Sequence, residues 1–113
     1  MSLSLIGKIA YPGKVSGKAI VFRANNDFAK FIPKNILVIT NSNPALVPYI
    51  ANSIGCIGEN NSICCHLAIV AREFGIPCVV GVKNVTKIIM SGDSITLDAY
   101  SGKVIYGKKK RLD

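Results

Sequence analysis

Glu59-Asn60-Asn61-Ser62-Ile63-Cys64-Cys65-His66-Leu67-Ala68-Ile69-Val70-Ala71-Arg72-Glu73-Phe74-Gly75-Ile76-Pro77 is the stretch around which the chain is organised. It reads as a polar loop, the chain's sole histidine, and a short apolar helix with a marked stop. Leu67, Val70, Ala71 and Phe74 recur at i, i+3, i+4 and i+7, which predicts one buried helical face from His66 to Phe74. Gly75 suits the left-handed position that ends a helix, and Pro77 shortly after it discourages continuation. The loop delivers Cys64, Cys65 and His66 to the helix start. Unpaired N–H groups and the helix dipole favour an anion there. The same end disfavours an imidazolium, and a neutral imidazole beside an anion site is the form that can accept a phosphoryl group.

Outward from that centre, Ile36-Leu37-Val38-Ile39-Thr40 is an apolar run suited to a strand buried on both faces. Asn43 and Pro44 are good cap and first-turn residues for a helix to about Asn52, which Pro48 makes short or irregular. Ile54 to Ile57 reads as a second strand, feeding the histidine loop, and Cys78 to Val82 as a third. Asn84 to Met90 suits a short helix. Ser94 to Asp98 and Lys103 to Tyr106 flank a turn at Tyr100-Ser101-Gly102 and predict a hairpin. Before the first buried run, Leu5 to Ala10 alternates weakly into a turn at Tyr11-Pro12-Gly13, and Val15 to Phe22 reads as a strand. Arg23 to Lys34 is polar, with room for a helical turn at Phe28–Phe31. The fold class is α/β: a β/β/α sandwich with a small central sheet and short helices.

Length and composition set the outer limits. At 113 residues, the expectation is a single domain over 1–113 with a basic tail over 107–113. Half the residues are apolar, yet no run reaches the about 20 that a membrane-spanning helix needs. The first residues lack a basic segment followed by an apolar core, so no signal peptide is expected and the setting is cytoplasmic. The four cysteines are then expected as reduced thiols, with Cys56 and Cys78 in the core. Cys64, Cys65 and His66 are consecutive, which is poor spacing for tetrahedral ligation, and no metal site is expected. The net charge of +8 includes Lys108-Lys109-Lys110-Arg111 at the end, either a solvated tail or a surface for an acidic or phosphorylated partner. No aromatic-interleaved basic stretch points to nucleic acid.

From Glu59 to Val82 the chain resembles the phosphohistidine swivelling (mobile) domain of phosphoenolpyruvate-utilising enzymes, most nearly the phosphoenolpyruvate synthase and pyruvate phosphate dikinase branch. That signature runs Thr-Glu-x-Gly-Gly-x-Thr-Ser/Cys-His-Ala-Ala-Ile-x-Ala-Arg-x-x-Gly-Ile-Pro. Glu59, Cys65-His66, Ala68-Ile69, Ala71-Arg72 and Gly75-Ile76-Pro77 match it in register. The likeness extends to Pro12-Gly13 and Ser16-Gly17 near the start and to Gly92-Asp93, Asp98 and Gly102 near the end.

The resemblance implies that His66 carries a phosphoryl group between an ATP-binding domain and a domain that binds phosphoenolpyruvate or pyruvate. Mg-ATP and phosphoenolpyruvate are then expected on those partner domains, in trans, and no cofactor on this one. It further implies Asn61, Ser62, Cys64 and Cys65 as neighbours of the phosphate. Glu59 and Arg72 are expected to support the loop, with an ion pair between them as one arrangement. Asn61-Ser62 stand where the signature has Gly-Gly, Cys64 where it has threonine, and Gly58 where it has threonine. Paired glycines allow close backbone approach to a phosphate, and threonine donates a stronger hydrogen bond than cysteine. A binding or regulatory module that keeps the fold without efficient transfer is therefore the alternative to a carrier, and a piece of a longer enzyme is a third reading.

Overall fold

Ile36-Leu37-Val38-Ile39 forms a strand in which all four side chains are buried, as expected of a run sandwiched between two layers. The computed structural model describes residues 2–22, 33–40, 44–59 and 64–107. The elements in chain order are β1 (Ser2–Ile6), β2 (Lys8–Tyr11), β3 (Lys14–Phe22), β4 (Ile36–Ile39), and a 3-10 turn (Pro44–Leu46) entering α1 (Val47–Ala51). There follow β5 (Gly55–Gly58), α2 (Cys64–Phe74), β6 (Cys78–Val80), α3 (Val85–Ile88), β7 (Ser94–Asp98) and β8 (Lys103–Gly107).

The strands run in the order β1-β8-β7-β3-β4-β5-β6-β2. β3 belongs to two sheets. Lys14 to Lys18 pairs antiparallel with β7, and Ala19 to Phe22 pairs parallel with β4. Its burial changes at the same point, from alternation over Lys14–Lys18 to four consecutive buried residues. One face covered gives period two; two faces covered gives a continuous apolar run. β4, β5 and β6 continue the parallel sheet, joined through α1 and α2, and β2 closes its edge antiparallel to β6.

The core divides by strand parity. Ile20, Leu37, Ile39, Cys56 and Val80 face α1 and α2, meeting Ile50, Leu67 and Ala71. Val21, Val38, Ile57 and Val79 face the other way, onto Ile95, Leu97 and Val104 of the antiparallel sheet. The result is the expected order of layers: antiparallel sheet, parallel sheet, helices. No helix among the described residues is long and apolar enough to cross a membrane.

Several boundaries differ from the sequence reading. α2 begins at Cys64, two residues before His66. Phe74 is 48% exposed rather than on the buried face, because the chain turns at Gly75 and puts Ile76 into the core instead. The weak alternation before Tyr11 resolves into two edge strands separated by Gly7. Pro48 lies in the first turn of α1, where a missing N–H costs nothing, and the 3-10 turn precedes it. β6 stops at Val80 and α3 is confined to Val85–Ile88. The helical turn at Phe28–Phe31, the Asn43 cap and the tail beyond Gly107 lie outside the described residues.

Candidate functional site

Three parallel strands end side by side at Ile39, Gly58 and Val80. Helices that follow parallel strands start at this edge of a sheet, so their free N–H groups gather there, and ligands of open α/β sheets bind there. α2 starts at this edge. His66 is its third residue, within the turn whose backbone N–H groups have no partner inside the helix.

The burial of α2 fixes how His66 is presented. Leu67, Val70 and Ala71 are buried against the sheet, whereas Ile69, Arg72 and Glu73 are exposed. His66 falls between those faces and is half-buried. The far end of the helix is locked. Gly75 takes φ +66° and donates its N–H to Arg72 O at 3.4 Å, while Ile76 N–H donates to Ala71 O at 2.9 Å. That pair of bonds is a Schellman closure, with Ile76 packed into the same core as Ala71.

Glu59 follows β5 directly and is tied on two sides. Its backbone N–H donates to Ile39 O at 3.0 Å. Its Oε2 accepts from the Thr86 backbone N–H at 3.0 Å and from Thr86 Oγ1 at 2.7 Å. Among the described residues this carboxylate therefore goes to Thr86 and not to Arg72, a correction to the sequence reading. Arg72 stands eight residues beyond the start of α2, roughly 12 Å along the axis at about 1.5 Å per residue. Arg72 is instead exposed in the last turn of α2, where a cation suits the helix dipole.

Thr86 is the partner of Glu59 that sequence reasoning did not find. It lies 27 positions after Glu59, and only the pairing of β5 with β6 brings the two segments together. Cys64 and Cys65 contribute backbone to the first turn of α2; Asn61 and Ser62 lie outside the described residues. Cys56 and Cys78 are buried free thiols, as expected. Among the described residues no group of three His, Cys, Asp or Glu side chains gathers to hold a metal ion.

A family model described as "PEP-utilising enzyme, mobile domain" matches residues 31–102. A probable phosphoenolpyruvate synthase of Methanothermobacter thermautotrophicus is 36% identical over 109 residues, an alignment covering 92% of this chain and 16% of that relative. The chain thus spans about a sixth of that relative's length. Among solved structures, an Enzyme I (nEIt) solution structure aligns with TM-score 0.58 and 27% identity, covering 66% of this chain and 31% of that one. The holo-form of Thermococcus kodakaraensis aconitase X aligns with TM-score 0.70 over 94% of this chain and 99% of that one; at 20% identity it shares the fold.

Proposed function

The chain belongs to the mobile-domain family of PEP-utilising enzymes, and on that premise we propose that it is a phosphohistidine carrier, with His66 as the acceptor. The observation that carries this reading is the place of the sole histidine: in the first turn of α2, at the carboxyl edge of three parallel strands. A ring nitrogen of neutral His66, Nε2 in this reading, attacks the phosphorus in line. The N–P bond forms as the donor's P–O bond breaks, and the donor oxygen keeps the bonding pair. In the second half-reaction an acceptor oxygen attacks the phosphorus, and the N–P pair returns to the imidazole. The positive end of the helix dipole at the start of α2 stabilises the transferred charge.

The half-exposed position of His66 suits a group that must enter another domain's site and leave again. In this proposal the partners, supplied in trans in the cytoplasm, are an ATP-binding domain and a phosphoenolpyruvate- or pyruvate-binding domain. Mg-ATP and phosphoenolpyruvate sit on them and not here. Asn61, Ser62, Cys64 and Cys65 are the proposed neighbours of the phosphate.

The test uses radiolabelled phosphoenolpyruvate and a phosphoenolpyruvate synthase whose own carrier histidine has been substituted. Acid-labile, base-stable label is expected on this chain and is absent from His66→Ala. An unlabelled wild type, beside an authentic mobile domain that does take label, overturns the carrier reading. The Asn61-Ser62 replacement of two glycines would then favour the second reading, a binding module that keeps the fold without the transfer.

A further inference from the structure

β1 and β2 stand at the two ends of the strand order, and they are finished differently. β2 carries exposed Lys8, and its register with β6 is broken between Ile9 and Tyr11. A charge and a bulge are devices that keep an edge strand from pairing with another chain. β1, Ser2-Leu3-Ser4-Leu5-Ile6, has neither charge nor proline, and its register with β8 runs unbroken from Ser2↔Gly107 to Ile6↔Lys103. Among the described residues no strand lies beyond it.

The open edge of β1 can be read residue by residue. Gly7 N–H donates to Gly102 O at 2.9 Å, one step beyond the Ile6–Lys103 pair. Along an antiparallel strand, one residue turns both its N–H and its C=O to one side and the next turns both to the other. Leu5 and Leu3 therefore face β8 with their backbone groups, as Gly7 does, while Ser2, Ser4 and Ile6 present theirs to the open edge. Side chains alternate in the other direction. Leu5 packs against the core between the two sheets, and Leu3, on the same face, is left 38% exposed at its rim. Ser4 and Ile6 are exposed on the outer face.

We infer that β1 pairs antiparallel with β1 of a second copy of this chain, about a two-fold axis through Ser4. In that register Ser4 stands opposite Ser4 and Ser2 opposite Ile6, so every outward N–H and C=O of the strand finds a partner. The same register sets Leu3 beside Leu5 of the second copy and covers the leucine left at the rim. A slip of one residue would set leucine beside serine, and a slip of two would leave Ser2 or Ile6 of each copy unpaired. This self-complementarity makes the occupant a second copy rather than an unrelated strand. The contact is short beside the about 1,200–2,000 Å² of a stable interface, so the dimer is reversible and concentration-dependent. β1 belongs to the layer farthest from α2, so the pairing leaves the His66 side open and does not depend on the carrier reading.

Sedimentation of the full chain over a wide concentration range is expected to show a monomer–dimer equilibrium. Ser4→Lys and Ser4→Glu each place like charges face to face at the two-fold axis and weaken the association about tenfold or more. An equimolar mixture of the two variants sets opposite charges there and restores it, which also shows that both variants are folded. Ser94→Lys, exposed on the same outer face at the start of β7, leaves the association unchanged. A wild type that stays monomeric throughout leaves the edge to a strand of some other protein and overturns the inference. So does a Ser4→Lys chain that associates like the wild type, a mixture that fails to recover, or an equal loss in Ser94→Lys.

Discussion

Cys56 and Cys78 stand opposite each other on the adjacent parallel strands β5 and β6, both sealed from solvent against the helical layer. The hydrogen bond between the two thiols, then burial, then the charge a neighbouring thiolate would bring, hold the Cys56 thiol well above its ordinary range. In the unfolded chain Cys56 ionises near the usual thiol value of about 8.5, while the folded chain keeps the proton. The folded state therefore binds more protons above that pH. The stability from this site is complete below about pH 8.5 and declines above it by up to about 1.4 kcal/mol per pH unit, until the folded group itself ionises. Urea midpoints across the alkaline range check this, with a flatter decline expected in Cys56→Ala. An identical slope in that variant would assign the alkaline loss to other groups.

α2 offers a test of which side chains support the layer that holds His66. Leu67 is fully buried and Phe74, seven residues on, is 48% exposed. Leu67→Ala is expected to cost about 2–5 kcal/mol, the range for truncating a buried leucine. Phe74→Ala is expected to change stability by no more than about 0.5 kcal/mol, as for a surface position. Similar losses in denaturant unfolding would mean that both residues face the core, as the bare periodicity suggests.

The contrast also shows what a sequence carries. The continuous run of β4, the stop at Gly75-Ile76-Pro77 and the β7–β8 hairpin were legible because each is a local signal: burial on two faces, a left-handed turn, a short reversal. The place of His66 was legible for the same reason, since loop and helix are contiguous. The fate of Phe74 depends on where the sheet ends beneath α2, which no helical period records. β3 hides its division between two sheets, because periodicity reports how many faces are covered and not by which strands. The Glu59–Thr86 contact joins residues 27 apart through the β5–β6 pairing, and neither residue type alone announces the other.

Gly75 closes α2 at φ +66°, and the nearest atom a methyl group would meet there is Tyr11 Oη at 3.8 Å. Space is available, so the cost of a side chain lies in the backbone. Gly75→Ala is expected to destabilise by about 1–2 kcal/mol, the penalty of the left-handed region for an ordinary L-residue. Gly75→Asn should cost less, because asparagine tolerates that region better. Chemical denaturation of the two variants measures the difference. Equal costs would point to crowding rather than dihedral strain.

Gly7 presents the opposite case, in which space decides. It joins β1 and β2, the two ends of the strand order, and its N–H donates to Gly102 O at 2.9 Å. A methyl group on Gly7 would lie 2.5 Å from Val80 O, 2.6 Å from Val82 Cγ2 and 2.7 Å from Val79 Cγ1. A backbone oxygen in a paired strand cannot give way as a flexible side chain can, so the strands must part. Gly7→Ala is expected to cost about 1–3 kcal/mol or more, as overpacking does, and to move the amide resonances of Val80 and Val82. Gly107→Ala, at the end of β8 with nothing within 4 Å of the added carbon, is the matched control. It is expected to stay within about 0.5 kcal/mol of the wild type. If Gly7→Ala were equally silent, β1 and β2 would have to be free to slide apart at Gly7, and this junction would not hold the edge of the parallel sheet in register.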